Sequence, residues 1–404
     1  MARRALALAL SSLVSLVSLA SLTSIASCGG GAKSAPEVKA VALPPANPAA
    51  VSKMVQGVQA AKDPGGRTRA IALLREAIGI DPNLWEARYD LGVVLAQAGD
   101  LAGAEEQLAV ASKLAPDAED VAVALGEVRR RRGEHKVAAD ALGDFVNDHA
   151  NAVDARTLYV AALRESGQVD KAIAQAREVL VRRPGDASAL AELALCHLAK
   201  NERDTAALLA KQAIDANAKS ALAHRAAGLV ALANGDDAAA FIEFRKASEA
   251  DPRDTTARLN MGAVLLRAGA FAKAEEQYRA ILQIAPDDND AAVGLAAALR
   301  GESDAQHPGK LDEAQKLLER VLERDPHHVS ALFNMGVLHA DFLKHPGEAL
   351  PYFKRFLTDA PSDHPMRPEA ERYLSATSTA APSPLPPTPP KGSAPGPKPK
   401  GGAR

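Results

Sequence analysis

Residues 85–118 read WEARYDLGVVLAQAGDLAGAEEQLAVASKLAPDA, and the same punctuation returns at a fixed interval on both sides. Pro116 in this stretch stands in one series with Pro82, Pro184, Pro252 and Pro286, the steps being 34, 68, 68 and 34 residues. A period of that size means one small unit repeated rather than a single core of unique sequence. Other residue types keep the phase. Gly92, Gly126, Gly262 and Gly336 follow a unit boundary by ten residues, with Ala194 and Ala296 in the same place. Ala70, Ala104, Ala172, Ala240, Ala274 and Ala314 precede the boundary by twelve. A large apolar residue usually falls eight before it: Leu74, Leu108, Phe244, Tyr278, Leu318 and Phe353.

These positions dictate a physical unit. Small residues at two sites let a pair of antiparallel helices approach closely, and Leu91, Leu193, Met261, Leu295 and Met335 fill the seam beside them. Proline at the end of the second helix cannot continue it and sets the turn into the next unit. Turn residues such as Ala98-Gly99-Asp100 and Asn234-Gly235-Asp236 divide the helices within a unit. One such pair has too little surface to bury a core, so neighbours must stack.

The pattern resembles the tetratricopeptide repeat (TPR) family, whose motif has small residues at its eighth and twentieth positions and proline near its end. The resemblance covers roughly residues 51–363 and implies an all-α, right-handed superhelical solenoid of about nine helix-turn-helix repeats. The units begin near Val51, Trp85, Glu119, Val153, Ala187, Ala221, Thr255, Asn289 and Val329. Ala150 and Ala218 replace the boundary proline, Val160 occupies a small-residue site, and the last unit is one residue longer. The eighth unit carries an insertion around residues 304–309, and residues 368–376 read as a C-terminal capping helix.

Arg3 and Arg4 precede an apolar, serine-punctuated run that ends Ile25-Ala26-Ser27-Cys28-Gly29. This resembles the lipobox of bacterial lipoproteins, which implies cleavage before Cys28 and acylation of that cysteine. More than one acyl chain makes such anchoring stable. Gly29 and Gly30 lack the aspartate associated with inner-membrane retention, so an outer-membrane anchor facing the periplasm is expected. The expected domains are a signal peptide at 1–27, a lipidated tether at 28–50, the capped solenoid at 51–377 and a tail at 378–404. The tail carries nine prolines with Lys391, Lys398, Lys400 and Arg404 and no acid, a composition that favours extended polyproline geometry. A cell-wall or acidic partner is one reading of it, and a solvated tail the other.

Composition narrows the function. Aromatics make up 3 % of the 404 residues and the net charge is −2, so the core is built from Ala, Leu and Val and no global bias points to nucleic acid. Lipid on Cys28 leaves Cys196 without an internal disulfide partner. Cys196 reads as a small packed hydrophobe.

If the family register holds, positions 2, 5, 9, 12 and 13 of each unit face a concave groove. The candidates there are Leu195, Leu198, Leu222, Leu229, Leu232, Leu259, Leu266, Val293, Phe333 and Val337, an apolar stripe suited to a segment of another protein. An off-by-one register would make some of these leucines core. Arg130 and Arg131, within the run Arg129–Arg132, are candidate anion contacts, or else a solvated helix end. His327-His328 lacks partner ligands at metal spacing, so no metal and no cofactor beyond the lipid is expected. No nucleophile, base and orienting group stand in a catalytic pattern. The expectation is a non-enzymatic scaffold for envelope proteins, serving assembly of an outer-membrane machine such as a pilus secretin or gliding motor. The alternative is a regulatory cofactor that activates a cell-wall or exopolysaccharide enzyme.

Overall fold

The structure, a computed structural model, describes residues 44–303, 307 and 309–379. Cys28, the signal peptide, most of the tether and the tail beyond Thr379 lie outside the described residues. Those described fold into nineteen α-helices with no strand among them. They form two compact units that divide between Glu243 and Phe244.

The first unit begins with α1 (Pro48–Lys62) and α2 (Arg67–Ile80). The repeat then runs α3 (Trp85–Ala98) with α4 (Leu101–Leu114), α5 (Glu119–Arg131) with α6 (His135–Asp148), and α7 (Val153–Glu165) with α8 (Val169–Arg182). Next come α9 (Ala187–Ala199) with α10 (Arg203–Ala216), then α11 (Ala221–Ala233) and α12 (Asp237–Ala250), within which the division falls. The second unit holds α13 (Thr255–Arg267), α14 (Phe271–Ile284), α15 (Asn289–Glu302) and α16 (Gly309–Arg324). It ends with α17 (Val329–Val337), a π-helical turn at Leu338–Phe342, α18 (Pro346–Asp359) and the cap α19 (Arg367–Thr379).

The first helix of every repeat after the first starts at the residue the 34-residue register assigns. The first repeat differs. Its helix opens at Pro48, three residues inside the expected tether, because Asn47 caps it by accepting from the Ala49 N–H. Asn47 also donates its own N–H to Asp81, 2.9 Å away. The cap likewise runs past 377, through Thr379.

The small-residue sites work as steric complements. A Cβ on Gly92 would lie 2.6 Å from Leu108 Cγ, one on Gly126 2.8 Å from Leu142 Cδ1, and one on Gly336 2.6 Å from the Phe353 ring. Where the fourth repeat has Val160 instead, the residue across the seam is Ala176, and both are fully buried in one core cluster. The fifth repeat uses Ala194 and Ala210. Val160 with Ala176 thus keeps the side-chain volume of Gly126 with Leu142 while changing its distribution, and the Ala194–Ala210 seam holds less.

The turn inside each repeat has the same phase. Gly99, Gly133, Gly167, Gly235 and Gly269 have φ between 70° and 88°, the left-handed region that glycine enters without a Cβ penalty. Asn201 takes that place in the fifth repeat at φ 60°.

A second periodic device ties repeats together. Arg88 donates to the Pro82 carbonyl at 3.0 Å and to Gln107 Oε1 at 3.1 Å. Arg156, only 7 % exposed, donates to the Val146 carbonyl at 3.2 Å, the Ala150 carbonyl at 3.5 Å and Gln175. His224 stands in the same phase, 3.1 Å from the Ala218 carbonyl oxygen and 2.6 Å from Glu243. In the second unit Arg258 donates to Gln277 at 3.2 Å. Each polar side chain thus reaches a carbonyl left open at the preceding boundary, the side chain nineteen residues on, or both.

Candidate peptide-binding groove

In the first unit, the first helices of five successive repeats enclose a cavity of about 460 Å³. Tyr89 and Val93 come from α3, and Asp120, Val123, Glu127 and Arg130 from α5. Asp154, Thr157, Leu158 and Ala161 come from α7, Ser188 and Glu192 from α9, and Leu222 and Arg225 from α11. The period of 34 residues explains the assembly: 89, 123, 157 and 225 are one position of the unit, and 93, 127 and 161 another. Each helix presents the same face, so the lining is a ladder of equivalent sites.

The lining differs from the apolar stripe expected from sequence. Leu195, Val293 and Val337 are buried, at 7 %, 6 % and 8 % exposure, and are core residues rather than ligand contacts. Leu198 and Leu229 are half-buried against the same cluster that contains Leu195. Leu232, Leu259 and Leu266 are half-buried as well, and Phe333 packs its ring 5.2 Å from that of Phe356. Of the ten candidates, Leu222 alone lines this cavity. Sequence reasoning searched for leucines and so passed over the earlier repeats, where the same positions carry acids.

The arginine run is spent on internal contacts. Arg130 does line the cavity, but its Nε is 2.9 Å from Glu127 and its Nη1 2.6 Å from Glu165. Burial works against its charge, yet Glu127, Glu165 and Glu192 outweigh that and raise its pKa above the usual guanidinium value. Arg131 donates to the Ala96 carbonyl at 3.1 Å, and Arg129 and Arg132 pair with Glu105. Of the two candidate anion contacts, Arg130 is thus ion-paired and Arg131 holds a backbone carbonyl. The pairing continues beneath the cavity, where Arg164 lies 2.8 Å from Glu192 and 3.2 Å from Glu165. Glu192 is 4 % exposed, so the network closes charge over three repeats in a setting that screens it little.

The wall at the start of the cavity is electronegative. Burial, with the nearby charges of Asp120 and Asp90, pushes the Tyr89 phenol up to about 12, so it stays a hydroxyl donor at neutral pH. Burial and the neighbouring Glu86 raise the Asp90 carboxyl to about 7. The cavity therefore combines hydrophobic contact from Val93, Val123, Leu158 and Leu222 with the carboxylates of Asp120, Asp154 and Asp186, Asp154 being paired with Arg183 at 2.5 Å, a lining that suits an extended segment bearing both apolar and cationic side chains.

Family models described as tetratricopeptide repeat match residues 67–127 and, in four overlapping stretches and a separate fifth, 123–187, 160–217, 192–255, 243–289 and 308–364. Together they cover well over half of the sequence. The chain belongs to the tetratricopeptide repeat family. Its fold is similar to a chain of the APC/C hetero-tetramer Cut9-Hcn1, at 14 % identity and a TM-score of 0.56, covering 80 % of this chain. The match spans 63 % of that protein's length. YrrB, described as a TPR protein with an unusual peptide-binding site, matches at 23 % identity and a TM-score of 0.38, covering 49 % of this chain and 97 % of its own. The human IFIT1 dimer matches at 18 % identity and a TM-score of 0.42, covering 73 % of this chain and 79 % of its own. No curated protein matches the sequence.

Elsewhere in the first unit, Cys196 is fully buried on α9, and burial followed by the Glu192 charge raises its thiol to about 12. In the second unit, the His pair at the last boundary is structural: the His328 ring accepts from the Ala331 N–H and caps α17, while His327 pairs with Asp359 at 3.0 Å. Sequence reasoning missed a different set, His339, His345 and Glu348, which the last repeat gathers around the π-helical turn.

Proposed function

We propose that this chain is a non-catalytic scaffold, anchored by lipid on Cys28 to the outer membrane and facing the periplasm. It holds a cationic, partly apolar segment of an envelope protein in the cavity of its first unit and assists assembly of an outer-membrane machine. The observation that carries the binding step is the cavity itself, walled by equivalent faces of five repeats with Asp120 and Asp154 on its rim. The lipid anchor rests on Ile25-Ala26-Ser27-Cys28, and the choice of machine on the class of protein that combines such an anchor with such repeats.

The test is affinity purification of the lipidated protein from solubilised envelopes, beside Asp120→Lys and Cys28→Ala. Asp120 is on the cavity wall and makes no part of the Glu127–Arg130–Glu165–Arg164–Glu192 network, so its reversal, which places a cation in the first turn of α5, is expected to keep the fold and lower melting only slightly. A channel or motor subunit should copurify with the native protein, fall at least about tenfold with Asp120→Lys, and be absent with Cys28→Ala. Recovery of a wall or polysaccharide enzyme would assign the regulatory role instead. Equal recovery with Asp120→Lys would remove the cavity from the binding step, and unchanged fractionation of Cys28→Ala would remove the anchor.

A further inference from the structure

The last repeat is one residue longer than the 34-residue unit, and the extra length is taken up at a single place. α17 does not continue as an α-helix but passes into the π-helical turn at Leu338–Phe342. Such turns are uncommon and occur often at functional sites. Lys344 then adopts φ 60°, a conformation a non-glycine residue enters only at a cost. The His345 N–H donates back to the His339 carbonyl at 2.8 Å, and α18 begins at the next residue. The loop is therefore folded over His339, with Glu348 in the first turn of the following helix.

Three side chains converge as a result. His339 Nδ1 lies 3.2 Å from Glu348 Oε2, and His345 Nδ1 lies 3.8 Å from Glu348 Oε1. One ligand atom from each of the three residues falls within 4.8 Å of the others. His339 is 5 % exposed, and its ring is held by stacking on Tyr352, centroids 5.5 Å apart and planes at 12°. Despite the nearby carboxylate, its buried Nδ1 has no hydrogen-bond partner. A buried nitrogen without a partner is costly, and it faces the two other ligand atoms.

We infer that His339, His345 and Glu348 bind a divalent transition-metal ion of the zinc class at the turn of the last repeat. Two imidazole nitrogens and one carboxylate oxygen suit Zn²⁺ rather than Mg²⁺ or Ca²⁺, which take oxygen ligands. Metal–ligand distances near 2.1 Å place tetrahedral ligand atoms about 3.4 Å apart; His339 Nδ1 and Glu348 Oε2 meet this at 3.2 Å, and His345 Nδ1, the third ligand atom, lies 3.8 Å from the other oxygen, Oε1. The third closes by rotation of the His345 side chain, which is 59 % exposed. An ion at this point would satisfy His339 Nδ1, tie the loop to α18, and keep at least one position open to water, because His345 and Glu348 face solvent. The site is independent of the cavity in the first unit.

The test is calorimetric titration of the full chain with ZnCl₂, on a Cys28→Ala background that removes the unacylated thiol. Saturable binding of one Zn²⁺ per chain is expected. His345→Ala and Glu348→Gln, both at the surface, should each weaken it at least about tenfold, while His327→Ala leaves it unchanged. Co²⁺ in the same protein should give the visible absorption of a four-coordinate nitrogen–oxygen site, lost in His345→Ala. No saturable binding, binding indifferent to His345→Ala and Glu348→Gln, or preference for Mg²⁺ over Zn²⁺ would each overturn the assignment.

Discussion

Asp90 shows how a single side chain reports its surroundings. Its carboxyl is raised to about 7 by burial and by Glu86, far above its value in an unfolded chain. The folded protein therefore holds a proton that the unfolded chain has released, and stability falls as pH rises from about 4 to 7, then levels. Asp90→Asn should remove that slope and raise the melting temperature at pH 8, with little change at pH 4. Melting curves of the two proteins across that range decide the matter, and an unaltered slope would mean that Asp90 is charged throughout. Asn201 and Lys344 show the other face of residue-level constraint. Asn201 sits in a turn that five glycines share and tolerates the left-handed region, whereas Lys344 enters it only where the chain is forced around His339.

The Gly126–Leu142 and Val160–Ala176 seams are matched in volume, and this gives a sharp expectation. Gly126→Val drives new methyls into Leu142 and should destabilise by about 3 kcal/mol. Leu142→Ala alone opens a cavity and should destabilise by a similar amount. The double variant reproduces the Val160–Ala176 arrangement of the next repeat, so it should be more stable than the sum of the two, by at least about 1 kcal/mol. Denaturant titration of the four proteins measures the difference, and simple additivity would refute the matching. Helix starts, turn glycines and the cap were legible in the sequence because each is a local choice repeated in one register. The Arg–Gln tie was legible too, had Arg88, Arg156 and Arg258 been set beside Gln107, Gln175 and Gln277. The groove lining was not, because which turn of each first helix reaches the cavity depends on how successive repeats are inclined within the unit. The His339–His345–Glu348 cluster was hidden for another reason: its spacing fits neither an α-helical face nor a known ligand motif until the π-helical turn is in place.

Within each unit, contacts run between neighbouring repeats, so stability is expected to be distributed along the chain rather than vested in one nucleus. Cys196 gives that property a built-in readout. Its sulfur is fully enclosed at the middle of the first unit and its thiol is raised to about 12, so it cannot react while the fifth repeat is closed. In the purified Cys28→Ala protein a thiol reagent has one place left to go, and it can go there only in the moments when α9 parts from its neighbours. The rate at which the label accumulates is then a clock for the breathing of the first unit. It should slow when a partner segment bridges α5 to α11 and hold the same pace when Asp120→Lys prevents that bridge.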